Sequence, residues 1–339
     1  MNHPARTVVI RLLALFSSWL LLIADAEAET PSKHQVVAGG HPITVWSKRP
    51  ASGMRDVLVL VHGRRWSSLP NFDLQVPGEN RSLMGAFVAK GYGVYAIDLR
   101  GYGSTPRDAT GWLSPDQAAT DVAAVLNWVI ERERGAFASP HWRPTLLGYS
   151  RGAAVAMLCA QRHAEAISAL ILYGFPYDIE ALPEARPDPE VPQQVVNTEK
   201  DAAEDFITPN SISQAGIQAY VRAALAADPV AVDWRRLHEF KSLNPARVHV
   251  PLLVLDGVHD PYARRAGHEK LFSRIAASHR WWVMLPNADH AAHIEESQPA
   301  FVRVVVSFLE LLTAAQPGAQ AERSTAALRL LLPARLALR

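Results

Sequence analysis

The sequence predicts an α/β fold, a mostly parallel sheet of eight strands flanked by helices, with a cap inserted between two strands. Six short runs are nearly continuous in apolar residues, and helical patterns alternate with them. Strands that are apolar on both faces are typical of a parallel sheet covered by helices. The 339 residues are 49% apolar and 20% charged, which is sufficient for a large core. The six runs are residues 57–61, 93–97, 144–148, 169–173, 251–256 and 281–285.

Two further elements have local sequence signals. Short strand-like segments flank Gly39 and Gly40, and this spacing predicts a β-hairpin with a primed turn. Ser114 is followed by a proline and, three residues later, by Gln117. This arrangement predicts a capping box that begins a helix running to about Arg134.

Charge and cysteine content exclude several classes of protein. Lys and Arg total 34 against 33 acidic residues, a formal net charge of +1, so nothing in the charge balance favours nucleic acid. Cys159 is the only cysteine, which excludes an intramolecular disulfide and a cysteine-rich metal or iron–sulfur site. The fold is therefore expected to depend on packing.

The two ends of the chain differ from its body. Residues 1–28 carry two arginines, then an apolar run, then an A-x-A sequence, which predicts a cleaved signal peptide. The alternative is an uncleaved membrane anchor, for which this run is short. We therefore expect a periplasmic or secreted protein with no stable membrane insertion after cleavage. Residues 316–339 are basic and are expected to form a flexible tail, with contact to a membrane surface as the alternative.

A long interval separates the predicted strands at 169–173 and 251–256, and it includes a Pro- and acid-rich stretch. A connection of this length usually carries its own elements, so we expect a cap at residues 175–245 between core segments 29–174 and 246–315. Residues 178–205 hold nine acidic residues against two basic ones. This stretch is either a solvated surface loop or an acidic entrance that favours neutral and cationic substrates.

The strongest chemical signal is a G-x-S-x-G sequence, here Gly148-Tyr149-Ser150-Arg151-Gly152. It lies between a predicted strand and a stretch rich in small residues and good helix formers. Glycines two positions to either side allow a serine to occupy a very tight strand-to-helix turn. The motif alone is short enough to occur by chance, and the alternative is an ordinary turn. Its context predicts that Ser150 is a nucleophile.

Three other loops fall where such a nucleophile needs partners. A His-Gly pair ends the first apolar run, and the backbone N–H of the next residue, Arg64, is expected to form an oxyanion hole with that of Arg151. Asp260 follows a later strand, and His290 follows the last one. The order serine, aspartate, histidine is one in which catalytic triads occur.

Over about residues 35–313 the sequence resembles the α/β-hydrolase superfamily. The matching segments are HG at 62–63, DLRGYGS at 98–104, the G-x-S-x-G, G-x-x-D at 257–260 and H-x-x-H-x-E at 290–295. Two positions depart from the family pattern. Asp289 stands where a glycine usually precedes the catalytic histidine, and Arg64 and Arg65 follow HG where small or apolar residues are usual. The second departure predicts a cation beside the oxyanion hole.

The resemblance implies that Ser150 attacks an acyl carbon, that His290 takes and returns its proton, and that Asp260 holds the imidazolium. His293 competes with His290 for the role of base, and Asp256 competes with Asp260. These histidines lack a recognised metal-binding pattern, so we expect no metal and no cofactor. The lone cysteine is expected to be a packed core residue.

The expected function is cleavage of a small carboxylic ester by an esterase or lactonase, with neutral short or aromatic esters as the best substrates. A serine at the elbow argues against dehalogenases and epoxide hydrolases, and HG followed by RRW argues against prolyl iminopeptidases and carbon–carbon hydrolases. The alternatives are an amide or peptide hydrolase and a non-catalytic binding protein of the same fold. Candidate pocket residues are Arg65, Trp66, Tyr149, Phe175 and Tyr177, with Trp112, Phe206 and Trp234 as further aromatic candidates.

Overall fold

The computed structural model describes residues 30–314, which form an eight-stranded sheet and a separate two-stranded pair. The predicted signal peptide and the predicted basic tail lie outside these residues. Among the helices of the described range, none is long and apolar enough to cross a membrane. The strands are β1 (Ser32–Ala38), β2 (His41–Lys48), β3 (Asp56–Val61), β4 (Tyr92–Asp98), β5 (Trp112–Leu113), β6 (Thr145–Tyr149), β7 (Ala169–Tyr173), β8 (Asp233–Trp234), β9 (Leu252–Gly257) and β10 (Arg280–Leu285).

The main sheet has the strand order β1-β2-β4-β3-β6-β7-β9-β10. The first two pairings, β1 with β2 and β2 with β4, are antiparallel, and the others are parallel. Each of the six apolar runs coincides with a strand of this sheet, which confirms the predicted fold class. The predicted hairpin joins β1 to β2, and its Gly39 and Gly40 have φ of +55° and +80°, as a primed turn requires.

Both faces of the sheet are covered by helices. Val57, Val59 and Val61 on β3 pack into one apolar cluster, whereas Leu58 and Leu60 pack into the other. This alternation explains why β3 is apolar at every position. The helices are α1 (Ser68–Phe72), α2 (Leu83–Val88), α3 (Pro115–Glu133), α4 (Arg151–Arg162), α5 (Glu199–Ala203), α6 (Gln214–Ala227), α7 (Arg265–Arg274) and α8 (Gln298–Ala314).

Helix α3 begins at the predicted position, but its capping box is only half formed. The Ser114 hydroxyl accepts a hydrogen bond from the Gln117 N–H at 3.3 Å. The Gln117 side chain does not return to the backbone of Ser114. It donates instead to the Asp108 carboxylate at 3.2 Å.

Residues 175–245, the predicted cap, contain α5, α6 and β8. They are attached to the rest of the protein by directional hydrogen bonds. The Asp228 carboxylate accepts from the backbone N–H groups of Ser67 and Gly103, both at 2.8 Å. The Thr208 N–H donates to the Asp289 carboxylate at 2.6 Å. The insertion is thereby held against loops that follow the carboxyl ends of the parallel strands, the edge at which α/β proteins bind ligands.

Candidate active site

Ser150 occupies the sharp turn between β6 and α4, with φ +54° and ψ −123°. A positive φ is strained for a residue with a Cβ atom and persists only when its surroundings enforce it. The flanking glycines show how this happens. A Cβ on Gly148 would lie 2.3 Å from the carbonyl oxygen of Gly152, and one on Gly152 would lie 2.3 Å from that of His62. Only glycines allow the turn to pack this closely.

His290 and Asp260 lie beside this serine. The Nε2 atom of His290 is 2.9 Å from Ser150 Oγ, and its Nδ1 atom is 2.7 Å from Asp260 Oδ2. The other Asp260 oxygen accepts from the N–H groups of Tyr262 and Ala263, at 2.8 and 3.2 Å. When the Nδ1–H group donates a hydrogen bond to the carboxylate, Nε2 is unprotonated and can accept a hydrogen bond from the serine hydroxyl.

The surroundings of His290 favour its protonated form. Burial by itself would lower the pKa of the imidazole, but the hydrogen bond that it donates to Asp260 and the negative charge of Asp260 raise it. The carboxylates of Asp205 and Asp289 act in the same direction, and the net effect is a pKa above the ordinary value of histidine. An imidazolium formed during proton transfer is therefore stabilised.

Neither of the two competing candidates is hydrogen-bonded to the catalytic candidates. His293 is buried, its ring lies 4.5 Å from that of Tyr149, and among the described residues neither of its ring nitrogens has a hydrogen-bond partner. Burial lowers its pKa to about 3, so it is neutral. Asp256 accepts from His268 Nδ1 at 2.6 Å and from the Trp282 indole at 2.9 Å. Neither competitor contacts Ser150.

The backbone around Ser150 can form an oxyanion hole. Arg151 is the first residue of α4, so its N–H has no acceptor within the helix and lies at the positive end of the helix dipole. Arg64 follows Gly63, where an added Cβ would lie 3.2 Å from the Cβ of Ser150. The Tyr102 hydroxyl donates to the carbonyl oxygen of Arg64, which holds this loop in place.

A cavity of about 240 Å³ opens over Ser150 and His290. Four of the five predicted pocket residues line it, namely Arg65, Trp66, Tyr149 and Tyr177. The prediction for Phe175 is wrong. Its side chain is fully buried, and its ring packs against Tyr177 and His268 because β7 delivers it into the core rather than into the cavity.

The sequence did not indicate five other residues that line the cavity, namely Asn71, Pro176, Glu204, Asp205 and Tyr262. Two of them are carboxylates from the acidic stretch of the cap. Burial raises the pKa of Asp205, and His290 opposes this shift. The acidic composition of the cap was visible in the sequence, but it does not indicate which acids face the cavity.

Within residues 30–314, no group of three or more His, Cys, Asp or Glu residues is placed to hold a metal ion. Cys159 is buried in α4, and burial raises its pKa to about 12. A thiol that stays protonated at neutral pH is a poor nucleophile. The nucleophile that the geometry offers is therefore Ser150.

The chain matches one known protein family, and its fold is similar to those of several solved structures. The family described as serine aminopeptidase, S33, matches residues 53–297. None of the curated proteins matches the chain. Solved structures with similar folds include a serine hydrolase involved in carbazole degradation, at 19% identity and a TM-score of 0.58, covering 83% of this chain and 99% of that one.

Two further similar structures are a thioesterase domain and an esterase. The thioesterase domain from the curacin biosynthetic pathway is 18% identical with a TM-score of 0.56, covering 81% of this chain and 99% of that one. A thermophilic esterase from Thermogutta terrifontis is 18% identical with a TM-score of 0.55, covering 83% and 99%. At these identities the likeness establishes the fold.

Proposed function

Because the chain belongs to the serine aminopeptidase S33 family of α/β-hydrolases, we propose that it cleaves a small carboxylic ester, as an esterase or lactonase, through an acyl-enzyme intermediate. The observation that carries this proposal is the hydrogen-bonded array of Ser150, His290 and Asp260 beneath a cavity. A strained serine aligned with a base and an orienting carboxylate is the arrangement that nucleophilic acyl transfer requires.

In the first half of the reaction, Ser150 Oγ attacks the acyl carbon while its proton passes to His290 Nε2. The bond from the acyl carbon to the leaving oxygen then breaks, and the same proton passes to the departing alcohol. In the second half, a water attacks the acyl carbon and gives a proton to His290. The bond from that carbon to Ser150 Oγ then breaks, the acid leaves, and His290 returns the proton to Ser150 Oγ.

The negative charge in each half develops on the carbonyl oxygen of the substrate. The N–H groups of Arg64 and Arg151 are the donors that we assign to it. Fixed donors of this kind stabilise the transition state without having to reorganise, and losing one typically costs about 10²–10³ in kcat.

Amide or peptide cleavage is the second candidate. The family description favours it, and so do the carboxylates of Glu204 and Asp205 in the cavity, which could neutralise a free amine on the substrate. The ester ranks first because an alcohol leaves more readily than an amine and needs nothing beyond the triad and the oxyanion hole.

A panel of p-nitrophenyl esters of graded chain length, together with amino-acid p-nitroanilides, tests the proposal. We expect ester turnover, labelling of Ser150 by a serine-directed phosphonate, and a loss on the order of 10⁴ or more in kcat for Ser150→Ala. Ser273→Ala, at an exposed serine on α7, is the control and should behave as the parent. Turnover by Ser150→Ala equal to the parent would overturn the mechanism, and faster turnover of anilides would favour the second candidate.

A further inference from the structure

Two arginines next to Ser150 carry positive charge without a carboxylate partner. Arg64 and Arg151 both line the active-site cavity, and neither takes part in an ion pair with an acidic residue of the described chain. Their neighbour Arg65 is different. It is 3.1 Å from the Asp201 carboxylate and donates to the Asn197 side chain at 2.8 Å. The fold therefore neutralises one of three adjacent arginines and leaves two available.

The side chain of Arg151 is held in a defined position. Its guanidinium lies over the ring of Trp234, 5.1 Å from the centroid, and the Trp234 indole donates to the Tyr102 hydroxyl at 2.8 Å. Burial lowers the pKa of Arg151, Tyr177 opposes that shift, and the charge of Arg64 lowers it further. The two like charges at this cavity repel each other, and an anion bound between them would relieve that repulsion.

A second cavity of about 340 Å³ adjoins the first and shares Arg64, Arg65 and Arg151 with it. Its one lining carboxylate, Asp233, accepts hydrogen bonds from the backbone N–H groups of Gln193 and Gln194, each at 3.0 Å. Both carboxylate oxygens of Asp233 are therefore already hydrogen-bonded to the backbone of the cap. The arginines therefore form a basic wall between the two cavities.

The acidic residues of the cap do not cancel this wall. Asp178 and Glu180 pair with Lys270 at 2.8 and 2.9 Å, away from the cavity. Asp205 does line the cavity, but the groups that it influences are those around His290. Arg151 is instead surrounded by Tyr102, Tyr177 and Trp234. Glu204 and Asp205 line the same cavity, but neither forms an ion pair with Arg64 or Arg151. The expectation of an acidic entrance that favours neutral and cationic esters therefore leaves these two cations out of account.

We propose that Arg64 and Arg151 form a carboxylate-binding subsite, so that the preferred substrate is an ester whose acyl group ends in a free carboxylate. This proposal rests on the proposed function of Ser150. A guanidinium presents a planar set of donors that matches the two oxygens of a carboxylate. The acyl chain would run from the carbon bonded to Ser150 Oγ toward the basic wall, and its carboxylate would form the ion pair that Arg64 and Arg151 do not make with any described residue.

The test compares monomethyl glutarate with dimethyl glutarate, which have the same acyl chain with and without a free carboxylate. We expect a kcat/KM for the monoanion at least about tenfold higher, as charge-assisted hydrogen bonds imply. This ratio should fall toward one in Arg151→Gln and in Arg64→Gln. It should be only partly retained in Arg151→Lys, which keeps the positive charge but loses the planar set of donors. Arg303→Gln, at an exposed arginine on α8 that lines neither cavity, is the control and should keep the parent's ratio.

A readout that needs no turnover separates this proposal from the proposed function. In Ser150→Ala, glutarate should bind in a calorimetric titration while glutaramide does not, and binding should weaken at least about tenfold when Arg151→Gln is added. Equal kcat/KM for the two esters in a parent whose Ser150 is labelled by phosphonate would overturn the subsite and leave the hydrolase function standing. Absence of ester turnover and of labelling would overturn the function, and glutarate binding would then decide the subsite alone.

Discussion

Replacing Gly152 by alanine tests how the serine turn and the proposed oxyanion hole are held together. The added Cβ would lie 2.3 Å from the carbonyl oxygen of His62 and 2.4 Å from that of Val61, at the end of β3. Both of these atoms belong to the backbone, so no side-chain rotation relieves the contact. The turn and the end of β3 must move apart.

The size of that movement follows from the distances. Ordinary contact for a Cβ begins near 3.4 Å, so the two backbones must separate by about 1 Å in an interior that is otherwise close-packed. The displacement falls between the N–H groups of Arg64 and Arg151, one on each side of the gap. Misplacing catalytic groups by about 1 Å costs roughly 10²-fold in rate, and overpacking costs about 1–3 kcal/mol of stability.

We therefore expect kcat/KM on a p-nitrophenyl ester to fall on the order of 100-fold in Gly152→Ala, with a melting temperature lowered by several degrees. Phosphonate titration gives the fraction of intact sites, so that loss of folded protein is not mistaken for loss of rate. Gly135→Ala, where an added Cβ meets nothing within 4 Å, is the control. Gly63→Ala, with its closest contact at 3.2 Å, should be intermediate. A Gly152→Ala protein within threefold of the parent would refute the reasoning.

Three further perturbations follow from buried charges. The pKa of His290 is raised, in part by Asp205, so Asp205→Asn should move the acid limb of the kcat/KM profile to lower pH, and an unmoved limb would contradict this. Lys48→Met should cost about 3–5 kcal/mol in chemical denaturation, because it leaves Asp73 buried without its cation, and a loss under about 1 kcal/mol would contradict this. Burial raises the pKa of Glu295 from 4.5 to about 8, so the stability from its neutral form is lost as pH rises toward 8. The melting temperature of Glu295→Gln should therefore exceed that of the parent by a margin that grows between about pH 5 and 8, and a margin that does not change with pH would contradict this.

The fold was accessible from the sequence because its signals are local. A strand covered on both faces is apolar at every position, as β3 is, and this pattern is visible without knowing its neighbours. The serine turn is similarly local, since the steric conflict that demands Gly148 arises within the turn itself. The loops after β9 and β10 could be assigned because parallel strands deliver their carboxyl ends to one edge.

The lining of the cavity was less accessible because it depends on contacts between distant segments. Asp201 and Asp205 belong to the same acidic stretch, yet one pairs with Arg65 and the other faces His290. The acidic composition of this stretch does not distinguish the two aspartates. The prediction that Phe175 lines the pocket is wrong for a related reason. The direction in which β7 ends determines whether this ring enters the core or the cavity, and no periodic pattern in the sequence indicates that direction.

The departure from the family pattern at Asp289 also has a structural explanation. One oxygen of this carboxylate accepts from the Ala291 N–H at 3.0 Å, inside the loop that carries His290, and the other accepts from Thr208 in the cap at 2.6 Å. A glycine could make neither side-chain contact. Three residues before Thr208, Asp205 lines the cavity and raises the pKa of His290. Asp289 therefore ties the loop that carries His290 to the cap segment that carries Asp205.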